Sequence, residues 1–210
     1  MCDSSETTQG ADLSIEKNEN LVALDDFWEI VERARSIEFS SDEQLKQNLI
    51  NELRTLPNDK LALFQNRWLQ LMSSAYRWDI WNVIHGINQG CCDDTFFDFR
   101  DQLVSRGRNI FKDVINNPEN LVSYVGGEWR AELSLSWTLE SHFHSAAGIA
   151  YRLNNGKSPN DYSADIPGTN FLWPNDPDGQ SIDMENEASV KRAYPRLWEY
   201  QRARGDWSNQ

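Results

Sequence analysis

The densest run of reactive side chains is Gly90-Cys91-Cys92-Asp93-Asp94, two thiols followed at once by two carboxylates. A helix starting there would lower a thiol pKa through its N-terminal dipole and favour a nucleophilic thiolate. The carboxylates oppose that effect, and a turn glycine, a packed cysteine and an aspartate helix cap account for the same residues. Four consecutive residues do not converge easily on one ion, so no metal site is read there. With His85 just upstream, Cys91, Cys92, Asp93 and Asp94 are the candidate catalytic residues of a cleft beside this turn.

Two further groups are candidate ligand-binding residues. Trp78, Trp81 and His85 recur on one helical face with Arg77 and Asp79 alongside, an arrangement that suits a planar or sugar-like ligand, or a core stripe with a histidine at its margin. Arg100, Arg106 and Arg108 stand close enough in sequence to clamp an anion through bidentate hydrogen bonds, or to form a salt-bridged, solvated face. His142 and His144 flank Phe143; on a strand they would aim to one side, on a helix they diverge by about 200°. The segment reads as helical, so they are expected to be separate, and no metal and no cofactor is expected. Phosphate-cradling glycine loops, serine nucleophile elbows and paired zinc-type cysteines are absent from the sequence.

The elements that must position these residues are helices. Phe27, Ile30, Val31 and Ala34 give a first stripe after Asp25 and Asp26; Leu45, Leu49, Leu53 and Leu56 follow a capping box of Ser40 and Glu43; Leu61, Phe64, Trp68, Leu71 and Ala75 follow Asn58 as cap. Ile80, Ile84 and Ile87 make a fourth helix ended by Gly90. Phe96, Phe99 and Leu103 make a fifth, capped by Asp93 or Asp94, and Ile110 to Ile115 a sixth. Asn117 before Pro118 opens a short turn, and Phe143 to Ala150 lie on a helix closed by Gly156. The alternation Leu133, Leu135, Trp137, Leu139 fits a strand, but it runs straight into a helical pattern and is read as helix. From Ser158 to Ser181 the chain is a long loop rich in Pro, Asp and Gly, packed by Phe171, Leu172 and Trp173, before a C-terminal helix in which Pro195 starts a second piece. The expectation is a mainly α, single-domain bundle of about seven to nine helices over residues 24–204, with a polar leader at 1–23 and a tail at 205–210.

The bulk properties restrict function without naming it. With 210 residues, 39% hydrophobic and 25% charged, and with nine Trp, the chain has material for a single core. Its formal charge of −13 repels phosphate backbones and anionic membranes, so generic nucleic-acid binding is disfavoured and a basic protein partner favoured. No run approaches the roughly 20 apolar residues of a membrane span, and no signal-type segment precedes the fold. Three cysteines, two of them adjacent, make no disulfide framework and fit a reducing, cytoplasmic setting.

Phe27-Trp28-Glu29, the run Ser74-Ala75-Tyr76-Arg77-Trp78-Asp79-Ile80-Trp81, Gly90-Cys91-Cys92-Asp93-Asp94, and Leu103 to Arg108 with Phe111 resemble the bacterial domain-of-unknown-function family 4240. The resemblance is densest from Trp68 to Leu121 and extends loosely to Tyr194-Pro195-Arg196-Leu197. Cys92 stands where that family usually has Ser, and Gln102 where it often has Trp. The family brings no assigned catalytic residues. The charge, the many Trp and the want of a convincing catalytic constellation lead to the expectation of a non-catalytic interaction or regulatory module that binds another protein. The alternatives are a small enzyme centred on Gly90 to Asp94, and an acidic mimic of nucleic acid.

Overall fold

A computed structural model describes residues 21–124, 142–161, 166–169 and 171–207. The leader up to residue 20 and the alternating stretch Leu133 to Leu139 lie outside the described residues. Within them the chain forms α1 (Leu24–Ser36), α2 (Asp42–Leu53), α3 (Asn58–Ser74), α4 (Trp78–Asn88), α5 (Asp93–Ser105) and α6 (Arg108–Asn116). A 3₁₀ turn (Pro118–Asn120) leads into α7 (Leu121–Tyr124), another (Phe143–Ser145) into α8 (Ala146–Asn154), and α9 (Glu187–Ala193) and α10 (Pro195–Arg204) close the chain. The described residues hold ten α-helices and no strand, a mainly α bundle.

The stripes read from sequence are the faces that pack. One cluster of buried side chains runs from Phe27 to Leu197 and joins all the helices. At its centre is α3, which touches α1, α5 and α8, with Phe64 stacked on Phe27 at 4.6 Å and Trp68 stacked on Phe143 at 6.3 Å. At the far end α10 lies against α4, where Gly86 gives Leu197 and Gln201 their approach: a Cβ there would stand 2.7 Å from Leu197 Cδ2.

Helix ends differ from expectation in detail. In α2 the cap is Ser41, whose side chain accepts from Gln44 N, while Gln44 Oε1 accepts from Ser40 N at 2.8 Å; the box sits one residue later than Ser40 and Glu43 suggested. Asn58 is the first residue of α3 rather than its cap, since Pro57 supplies the fixed φ that starts the turn. Asp93 and Asp94 likewise fall inside the first turn of α5, where they favour the helix dipole, and Cys92 is the cap residue. Asn117 caps as expected, its Oδ1 accepting from Glu119 N at 3.1 Å.

The long loop is held at a few points. Asp178 exchanges backbone hydrogen bonds of 2.9 Å with Tyr76 and Trp78, and Asn66 Nδ2 donates to Gly168 O at 3.2 Å. Leu172 does not pack the loop as expected: it is 88% exposed, and the contact is made by Phe171 and Trp173, whose rings meet at 5.0 Å. No helix among the described residues is long and apolar enough to cross a membrane.

Candidate functional site

The most organised polar cluster is built on α5 and on the entry to α8. Asp101 follows Asp98 by three residues, so both carboxylates project from one face of α5, beside the face that buries Phe96, Phe99 and Leu103. The side chain of Asp101 is 3% exposed and receives three donors: Trp68 Nε1 at 2.7 Å and His144 N at 2.8 Å on Oδ1, and His144 Nδ1 at 3.1 Å on Oδ2. A carboxylate only accepts, so Nδ1 carries the proton and the ring's unprotonated nitrogen is Nε2 on the opposite edge. His142 stands 3.9 Å from Asp98, whose carboxyl is pushed up by burial, and its ring meets that of His144 edge-on at 5.4 Å. Phe97 closes the other side of His144, edge to face at 5.3 Å.

The two histidines meet because the helix starts later than the sequence suggested. His142 precedes the 3₁₀ turn and has φ −38, ψ 77, so the divergence of about 200° that a helix would impose does not apply. They open on a cleft of about 610 Å³ between α2 and α8, whose walls include Glu43, Lys46, His142, His144, Ser145 and Arg152. Lys46 is only 8% exposed although it lies on α2 beside the Leu45 and Leu49 stripe, and burial lowers its pKa. Among the described residues its ammonium makes no hydrogen bond and no ion pair. Arg152 is also buried, its Nε donating to Pro159 O at 2.9 Å. A chain of formal charge −13 thus lines this cleft with Lys46, Arg152 and two imidazoles beside a single carboxylate, Glu43, among its described walls.

The residues singled out from sequence are mostly dispersed. Cys91 is half-buried under Trp81, whose Nε1 donates to Cys91 O at 3.0 Å, and burial pushes its thiol up to about 12. Cys92 is exposed, with Sγ 3.2 Å from Thr95 Oγ1, and that hydrogen bond lowers its pKa. Among the described residues no hydrogen bond joins the His85 imidazole to Cys91, Cys92, Asp93 or Asp94. Trp78 and Trp81 stack at 5.1 Å, and Trp81 stacks on Phe96 at 4.6 Å, so that face is core margin. The arginines diverge. Arg77 pairs with Asp79, Arg106 with Asp42 on α2 at 3.0 Å, and Arg108 with Asp25 on α1 at 2.8 Å.

Asp93 and Asp94 do border a hollow of about 260 Å³, together with Tyr76, Phe97, Arg100 and Trp173. Arg100 is buried there with its guanidinium 4.4 Å from the Tyr76 ring centre, donating to the backbone oxygens of Phe96 and Met72. Its pKa falls to about 10 because burial disfavours the charge. Sequence reasoning passed over Lys46, Asp98 and Asp101; the legible signal was Asp98 and Asp101 at a three-residue spacing flanking an apolar stripe, with Trp68 as a buried donor in need of a partner. No group of three or more metal-type ligands is gathered among the described residues.

Fold and site define an all-α, single-domain protein with an aspartate–histidine pair at a polar cleft. Residues 23–152 match the family described as "Protein of unknown function (DUF4240)", and the chain belongs to that family. No curated protein and no solved structure matches the chain.

Proposed function

We propose that this protein is a small-molecule enzyme whose general base is His144. The observation that carries this reading is the buried Asp101, which accepts from His144 Nδ1 at 3.1 Å and holds the ring, part of the cleft wall, in the tautomer whose basic atom is Nε2. Nε2 would take a proton from a bound hydroxyl, water or activated C–H, and the imidazolium so formed would face the ionised Asp101. Trp68 Nε1 and His144 N hold that carboxylate from its other oxygen, so it orients the ring rather than taking the proton itself. Ser145 is no nucleophile in this scheme, since its hydroxyl donates to His142 O at 2.7 Å. The chemistry is proton transfer without a covalent intermediate.

The test is incubation of the purified protein with a cell extract of small molecules, following each compound by mass spectrometry. A compound consumed by the native protein should be consumed about 10²- to 10⁴-fold more slowly by His144→Asn and by Asp101→Asn. A variant as active as the native protein, or no compound consumed at all, overturns the reading. The free thiols at Cys91 and Cys92 support a cytoplasmic, reducing setting for this activity, as in a bacterial cell.

A second reading, a module that binds another protein, is favoured by the exposed pair Leu172 and Trp173 on the long loop. The acidic surface would suit a basic partner. A partner retained by the native chain and lost by Leu172→Ser/Trp173→Ser would support it; equal retention would rule this surface out.

A further inference from the structure

We propose that the ligand of the α2–α8 cleft carries an anionic oxygen group, a phosphate or a carboxylate, and that Lys46 is its principal anchor. The inference rests on reading this cleft as the reaction site, and adds the class of substrate to it. Lys46 is 8% exposed, yet its ammonium has no hydrogen bond and no ion pair among the described residues. The stem of Lys46 is buried against α2 while its head lines the cleft, so the charge is partly desolvated and points to where a ligand would sit rather than to a protein partner.

The wall around it fits an oxyanion. Lys46 offers up to three donors, and Gln47, Asn160 and the two imidazoles line the same space, while Arg152 adds a second buried positive charge. Glu43 is the one carboxylate lining the cleft among its described walls. Glu43 and Asp101 both attract Lys46, but neither is hydrogen-bonded to its ammonium among the described residues, and Asp101 already receives three donors from Trp68 and His144. The placement is economical in mechanism as well. An anionic group held at Lys46 on α2 brings the rest of the molecule across the cleft toward His144, and the lysine charge offsets that of an anion formed when the proton leaves.

The experiment uses the full chain, with inorganic phosphate and acetate as probes, and reads both binding by calorimetry and the melting temperature. At least one probe should bind the native protein and raise its melting temperature. Lys46→Met should keep the fold, melt no lower than the native protein without probe, and weaken probe binding at least about tenfold. Lys46→Arg, which keeps the charge, should retain part of the binding and serves if the methionine variant fails to fold. Phosphate bound and acetate not marks a phosphorylated ligand, and the reverse a carboxylate. If neither probe binds, or Lys46→Met binds as well as the native chain, the inference fails. His144→Asn should still bind the probe, so probe binding without any turnover would sink the enzyme reading alone, and turnover of an uncharged compound with no probe binding would sink only this one.

Discussion

At the scale of single residues, the same chemistry reads differently according to what surrounds it. Cys91 and Cys92 are neighbours in the chain, but burial raises the first thiol to about 12 while the Thr95 hydroxyl lowers the second. Of these two, iodoacetamide at neutral pH should therefore label Cys92, with Cys91 reacting only in denaturant; peptide mass spectrometry reads the order. Trp68→Phe removes one of three donors from Asp101 and should cost about 1.5–3 kcal/mol in denaturant unfolding, with the melted state otherwise unchanged. Lys46 gives a pH signature. Its folded pKa lies below the unfolded value of about 10.4, so the unfolded chain binds more protons in that window and stability rises with pH through it. Burial is the largest cause of the shift, and Glu43 and Asp101 oppose it; Arg152, His142 and His144 are the other titratable groups that face Lys46 across the cleft. The gain in stability expected for Lys46→Met should thus be full near neutral pH and shrink as pH approaches 10.4; unfolding curves at several pH values measure it. His144 was legible in the sequence only as a residue type, because what makes it a base is a carboxylate 43 positions away.

At the scale of elements, sequence periodicity identified faces well and helix ends poorly. The stripes of α1, α3 and α5 bury as read, because the apolar repeat fixes which side of a helix must leave water. Ends depend on the neighbour that satisfies them. At the start of α6, Gly107 has φ +90 and no side chain, and Glu32 from α1 fills the space, its Oε1 accepting from Arg108 N at 3.0 Å. An added Cβ would stand 2.5 Å from that oxygen, so Gly107→Ala should lose both the left-handed turn and the cap, about 1–3 kcal/mol together in a melting experiment. No pattern within α6 announces that cap, since its donor and acceptor come from different helices. The start of α8 carries the same lesson with a functional outcome. A helix begun one turn earlier would have parted His142 from His144; begun as a 3₁₀ turn at Phe143, it brings their rings to 5.4 Å.

At the scale of the whole molecule, the family match and the folding unit have different limits. The match ends at residue 152, but Val190 and Leu197 beyond it are fully buried, and Arg196 and Leu197 donate their backbone N–H groups to Glu119 at 2.7 and 3.0 Å. The C-terminal helices are therefore part of the core, and Leu197→Ala should destabilise the entire domain by about 2–5 kcal/mol, seen as one cooperative transition at a lower denaturant concentration. The sequence by itself determined the helical class, the single core, the exclusion of nucleotide loops and zinc-type cysteine pairs, and the family, because periodicity, composition and short motifs are local properties carried in order along the chain. Only the tertiary structure decided where the chemistry lies. It set Arg77, Arg106 and Arg108 apart on different partners, stacked Trp78 on Trp81 and Trp81 on Phe96, and brought Lys46 from α2 and His142 and His144 from the start of α8 to one cleft, with Asp98 and Asp101 of α5 behind the two histidines. The reason is physical: a site is a set of distances, and those distances are fixed by which helix faces pack together, a property that no single segment contains.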